Sequence, residues 1–179
     1  MKKLFIAVLF AGLLAAGCEK DDKNTAFGET VLYMPQATVG ASYNVPSGAD
    51  DATRNYKVDE TSGKIKVMLG VYRSGLDRGG AITVQVGTDA DTVQKMIANG
   101  TLDAATHLPV PAAAYSLPDA VNLPAGEGST PFYLDLDAAE LKNYPGKILV
   151  LAVNISGNNS VNPALRQVLV LVDVDKLPL

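Results

Sequence analysis

The stretch Lys147-Ile148-Leu149-Val150-Leu151-Ala152-Val153-Asn154-Ile155-Ser156 decides the fold. Leu149, Leu151, Val153 and Ile155 share one parity, and Ile148, Val150 and Ala152 share the other. Successive side chains of a strand point to opposite faces. A strand that is apolar on both parities is therefore buried on both faces and belongs in the middle of a sheet. Tyr144-Pro145-Gly146 turns the chain into this strand, Asn158-Asn159 turns it out, and Gln167–Val174 follows as the last strand.

Working back toward the N-terminus, Phe132, Leu134 and Leu136 alternate with Tyr133, Asp135 and Asp137. Asp137 and Glu140 form a capping pair over a single helical turn, 138–143. Ile65, Val67, Leu69 and Val71 alternate with Lys64, Lys66, Met68, Gly70 and Tyr72, the period of a half-buried strand. Ile82, Val84 and Val86 give another. A short helix follows, with Thr88 as its cap, Asp91 three residues on, and Val93, Met96 and Ile97 at i, i+3, i+4 facing the sandwich. Asn99-Gly100 ends it. Residues 101–112 read as a loop, and Ala113–Ser116 as a short strand before Pro118. At the start, Glu29–Met34 reads as a strand closed by Pro35, Thr38–Val45 as a second closed by Pro46, and 46–63 as a polar loop or ragged hairpin. Short strands separated by Gly and Pro turns predict an all-β fold, an immunoglobulin-like β-sandwich with one or two short helices. The helical turn ahead of the central strand is analogous to a corner of immunoglobulin-like domains.

The N-terminus carries an address. Met1-Lys2-Lys3 is basic, Leu4 to Leu14 is apolar, and Ala15-Ala16-Gly17 is small-residued before Cys18, the only cysteine. That layout is a secretory signal, and its apolar run is short for a transmembrane helix. A cysteine at the cut resembles the lipobox of bacterial lipoproteins, although Ala15 stands where Leu is usual. The resemblance implies removal of residues 1–17, acylation of Cys18 and a lipid anchor in the outer membrane. Two or more acyl chains suffice for stable attachment. Lys20-Asp21-Asp22 resembles the cluster that sends lipoproteins of Bacteroidota to the outer face of the outer membrane; the alternative is a solvated linker. Residues 18–28 are then a charged tether with an r.m.s. span of roughly 17 Å, and 29–179 a single β-sandwich domain.

Composition sets limits. There are 15 Lys+Arg against 19 Asp+Glu, for a formal net charge of −4, and loss of Lys2 and Lys3 with the signal makes the chain more acidic. An acidic chain without a basic stripe argues against nucleic acid. One cysteine, spent on lipid, permits no internal disulfide. One histidine, His107, rules out a His-rich metal site, and tryptophan is absent.

Three further stretches carry a family resemblance. They are Val31-Leu32-Tyr33-Met34-Pro35-Gln36-Ala37; Gly79-Gly80-Ala81-Ile82-Thr83-Val84 with Leu108-Pro109 and Ala114-Tyr115-Ser116-Leu117-Pro118; and Tyr144-Pro145 with Leu149–Ser156 and Val161-Asn162. Across roughly 29–175 the chain resembles the N-terminal domain of unknown function of many Bacteroides surface lipoproteins. There it precedes glycan-binding modules or endo-β-N-acetylglucosaminidase-type hydrolases. The resemblance implies a surface role in glycan acquisition. The acidic run of that hydrolase is missing here and the chain ends after the last strand, so the activity of such a second module is not expected.

Candidate chemistry is sparse. Asp135 and Asp137 read as a solvated face followed by an N-cap, with a share in a Ca²⁺ site as the alternative; Asp173 and Asp175 read likewise. His107 lacks a partnered nucleophile and reads as a loop residue. Without Trp, stacking on sugar C–H faces falls to tyrosine. Tyr56, in the polar loop, and Tyr72, beside a turn, are the candidate glycan contacts. Asp91-Thr92-Val93 fits a short Bacteroides O-glycosylation pattern at Thr92. The sequence thus predicts a non-catalytic cell-surface lipoprotein without cofactor or metal, a binding or accessory module in glycan acquisition. The alternative is a structural or adhesive module that contacts a partner protein or host surface.

Overall fold

The computed structural model describes residues 29–40, 42–48, 50, 52–75 and 79–179. Cys18, Lys20, Asp21 and Asp22, with the signal and tether, lie outside the described residues.

Two sheets pack face to face. The first contains β1 (Leu32–Tyr33), β3 (Tyr56–Asp59), β4 (Lys64–Arg73), β7 (Tyr115–Ser116) and β9 (Ser129–Asp137). Its order is β1-β4-β9-β7, with β3 beside β1 along the same edge of β4. The second contains β2 (Ser42–Val45), β5 (Ile82–Thr88), β6 (His107–Pro109), β8 (Ala120–Leu123), β10 (Ile148–Ser156) and β11 (Gln167–Asp173). Its order is β2-β11-β10-β5-β8, and β6 pairs with β10. Most pairs are antiparallel; β2 runs parallel to β11, and β6 parallel to β10. The all-β sandwich with two short helices is the fold expected from the sequence.

The doubly apolar strand is where its pattern puts it. β10 has β11 on one side and β5 and β6 on the other. One face, Leu149, Leu151, Val153 and Ile155, joins the core between the sheets with Ile65, Val67, Leu69, Val71, Phe132, Leu134 and Leu136. Its other face, Val150 and Ala152, joins Leu169 and is covered by Val93 and Leu102, with Met96 and Ile97 beside them. Val93, Met96 and Ile97 come from α1 (Ala90–Ala98), so this helix shields the outer face of the second sheet. Without that cover, the second apolar parity of β10 would face water, at a cost of roughly 25 cal/mol per Å².

Several local expectations are corrected. Asp89, not Thr88, caps α1: its carboxylate accepts from Thr92 N at 3.0 Å and from Thr92 Oγ1 at 2.6 Å. Thr88 cannot leave β5, because it pairs with Val153. Thr38–Val45 is not one strand. Pro35–Val39 forms a 3-10 turn, Thr38 Oγ1 donates back to Pro35 O at 2.6 Å, and Gly40, at φ 126°, redirects the chain before β2. Proline fixes φ near −65°, so Pro35 starts a turn as well as ending β1. The polar region 46–63 contains β3, an edge strand that pairs Tyr56 with Val67. His107 lies in β6 rather than in a loop, and β8 appears where no strand was expected. Asp137 caps α2 (Ala138–Leu141) as expected, accepting from Ala139 N and Glu140 N.

The Asp89 cap gives a pH-dependent prediction. The hydroxyl of Thr92, then its N–H, then Gln167 hold the Asp89 carboxyl below its ordinary 3.8. A carboxyl depressed in the folded state contributes stability that is present above its unfolded pKa and lost as pH falls through the folded one. Asp89→Ala should therefore lower the thermal midpoint by a few degrees at neutral pH, the usual consequence of losing an N-cap. The gap to wild type should close as pH drops below about 3.8. A constant gap from neutral pH down to pH 2 would show that the cap stabilises the fold by something other than its charge.

Candidate functional site

The outer face of the first sheet carries the exposed aromatic side chains. Parity sends Lys64, Lys66, Met68, Gly70 and Tyr72 of β4 outward, opposite the core residues Ile65 to Val71. Register sets Asp137, Asp135, Tyr133, Pro131 and Ser129 of β9 against them, one for one. Tyr33 of β1 stands against Tyr72, ring centroids 5.8 Å apart and tilted by 44°. Met68, Tyr72 and Tyr133 are 48%, 44% and 39% exposed and lie on neighbouring positions of one face, a contiguous exposed patch.

The face divides in two. The end nearer α2 is charged. Lys66 Nζ lies 3.6 Å from Asp135 and 4.0 Å from Asp59. Asp135 Oδ1 is buried there without a hydrogen-bond partner among the described residues. The other end is apolar and hollowed into a groove of about 170 Å³ floored by Gly70 and walled by Pro35, Gln36, Met68, Tyr72 and Pro131. A Cβ on Gly70 would meet Thr130 O at 3.4 Å and Pro35 Cγ at 3.8 Å, so a side chain here would fill the floor. Gln36, Ser129 and Thr130 bring polar groups to the groove, and Gln36 Oε1 is buried beside it without a hydrogen-bond partner among the described residues. Beneath it, Tyr43 donates its hydroxyl to Met68 O at 3.3 Å. Burial raises the Tyr43 phenol above 10.0, so it keeps that proton at neutral pH. A tyrosine ring with a polar tip at a shallow groove, with two more tyrosines beside it on the same face, suits a ligand with C–H faces and hydroxyl edges.

Of the residues singled out in the sequence, Tyr72 lies at this groove. Tyr56 does not: it is a strand residue, 7% exposed, in the core cluster, with the Arg54 guanidinium 5.4 Å from its ring centroid. Its ring offers no open face for stacking. Thr92 sits in the first turn of α1, half-buried, its hydroxyl bonded to Asp89. His107 is half-buried with Nδ1 3.0 Å from Thr106 Oγ1, a contact within its own turn. Asp173 pairs with Lys176 at 2.7 Å, and Asp175 accepts from Gly146 N. No group of three or more His, Cys, Asp or Glu is placed to hold a metal among the described residues. Nor is any helix there long and apolar enough to cross a membrane. Sequence reasoning missed Tyr33, Met68 and Tyr133 as companions of Tyr72. The β4 parity held Met68 and Tyr72 on one face, but nothing local set Tyr133 and Tyr33 against them.

No protein-family model matches the chain, and no curated protein matches it. Solved structures do, among them three at 12–20% identity. A candidate carbohydrate-binding protein from Bacteroides ovatus superposes with TM-score 0.56 at 12% identity, over 80% of this chain and 36% of its own. An auxiliary nutrient binding protein from Bacteroides thetaiotaomicron gives 0.52 at 20%, over 75% and 44%. A Bacteroides ovatus multidomain protein that includes DUF1735 gives 0.51 at 18%, over 74% and 40%. The chain is thus similar in fold to Bacteroides proteins, some of them of unknown function, and spans less than half the length of each of these three.

Proposed function

We propose that this chain is a non-catalytic, lipid-anchored cell-surface module that binds glycan through the outer face of its first sheet. The observation that carries the reading is the Gly70 groove walled by Tyr72 and Met68, with Tyr33 set against Tyr72 and Tyr133 against Met68 on the same sheet face. Its rings stack on sugar C–H faces, while the Gln36 amide, the Ser129 hydroxyl and the main-chain carbonyl of Thr130 meet ring hydroxyls. Two relatives in fold are named for carbohydrate and nutrient binding, which supports the reading. Anchoring rests on the sequence alone: Cys18 carries the lipid, and Lys20-Asp21-Asp22 direct it to the outer face. The cell exterior is where a glycan-binding surface meets its ligand.

A panel of host and plant polysaccharides in affinity electrophoresis tests this. At least one should retard the wild-type chain. The second reading, a structural or adhesive module, draws on the same apolar face together with the exposed Val58 of the β3 edge, since exposed apolar patches and open edges also mark protein contacts. No retardation by any polysaccharide, with a stable complex recovered from outer membranes, would move the assignment to that reading.

A further inference from the structure

Arg73 is the last residue of β4, on the parity of the core, and is only 5% exposed. Its Nη1 donates to Gly80 O at 3.0 Å. Its Nη2 donates to Pro124 O at 3.2 Å and to Glu127 O at 2.6 Å, and Nε to Glu127 O at 3.2 Å. All these acceptors are main-chain carbonyls. They orient the guanidinium but do not neutralise it, and among the described residues no carboxylate forms an ion pair with it. A guanidinium has five N–H donors; these four contacts leave one, on Nη1. A buried charge is costly unless paired.

Arg73 forms one wall of a cavity of about 300 Å³, with Thr30, Gly79, Gly80, Ala81, Ile82 and Asn159 around it. Asn159 is exposed, and its side-chain amide bonds to nothing among the described residues. The opening therefore combines a buried cation with no carboxylate partner among the described residues, an N–H that these contacts leave over and an amide NH₂, the donor set for one carboxylate. A volume near 300 Å³ is at the small end of ligand pockets, so the occupant is about one sugar ring in size.

We propose that this cavity is an anion site for the carboxylate of an acidic sugar. The anion site stands on Arg73 and its cavity; the choice of a sugar carboxylate over a free one rests on the glycan reading above. The place supports that choice. Tyr72 precedes Arg73 in β4, Ser129 pairs with Tyr72, and Gly128 O accepts from Arg73 N at 2.8 Å. The tyrosine groove and the arginine cavity therefore lie at the same end of the sandwich. A glycan lying on the groove reaches the cavity by passing over that end.

Calorimetry on the purified chain at low ionic strength, with sodium glucuronate, glucose and sodium acetate as probes, tests the site. Glucuronate should bind at least tenfold more tightly than glucose or acetate. Asn159→Asp places a permanent carboxylate in the cavity wall. It should raise the thermal midpoint and weaken glucuronate tenfold or more, and leave retardation by neutral polysaccharide unchanged. Tyr72→Ala should keep glucuronate binding. Failure of glucuronate to bind, or equal affinity for glucuronate and glucose, overturns the site whatever the midpoint does. Undiminished glucuronate binding in Asn159→Asp does the same. Acetate as tight as glucuronate overturns the acidic sugar in favour of a free anion. A chain retarded by neutral polysaccharide but blind to glucuronate loses this site and keeps the glycan reading; the reverse pattern loses the groove and keeps the anion site.

Discussion

Leu149→Ala lowers the free energy of unfolding by about 2–5 kcal/mol, out of the roughly 5–15 kcal/mol typical of a domain. Leu149 is fully buried, in the strand with neighbours on both sides, and its side chain meets the first sheet across the core. Neither sheet can close the void without shifting the strands paired to it, so little of the cavity is recovered. Val150→Ala, one residue on, removes a smaller side chain from the second cluster under α1. It should cost less and loosen mainly the helix. Urea titration of both variants checks the ranking. If Val150→Ala costs as much as Leu149→Ala, the core between the sheets does not dominate stability and the two-cluster picture fails.

The second large effect is on location. Cys18→Ser should move the chain from the membrane fraction to the soluble fraction and abolish incorporation of labelled palmitate. Two or more acyl chains are what make such attachment stable, and the replacement removes them all. Replacing Lys20, Asp21 and Asp22 together with Ala should leave the palmitate label intact but hide the chain from protease added to whole cells. Equal labelling of Cys18→Ser and wild type would sink the anchor. Equal protease sensitivity of the triple variant and wild type would reduce Lys20-Asp21-Asp22 to a linker.

The long strands were legible in the sequence because length and burial act together. β4 and β9 alternate over enough residues for period two to stand out, and β10 shows both parities apolar because α1 covers its outer face. The short edge strands were not. β3, β6 and β8 have three or four residues each, too few to show a period, and their pairing is decided by the neighbour rather than by their own residues. Tyr56 shows the consequence: in polar surroundings it reads as a loop residue, yet pairing with Val67 turns it into the core. The candidate site was half legible. Parity put Met68 and Tyr72 together, but register brought Tyr133 and Tyr33 to them, and register is a property of two strands. Arg73 is a clearer case. Its sequence position gives no sign of the three carbonyls, more than fifty residues away in two of them, that hold it beside a cavity.

Calorimetry of Tyr72→Ala, Tyr133→Ala and the double variant against wild type tests whether glycan binds at the groove. The ligand is whichever polysaccharide retards the wild-type chain. Both rings are exposed, so the variants should keep the wild-type far-UV spectrum. Each lost stacking contact should cost on the order of 1 kcal/mol, a several-fold loss for each single variant and a larger one for the pair. Binding by a folded double variant that is as tight as wild type would show that the tyrosine face does not hold the glycan.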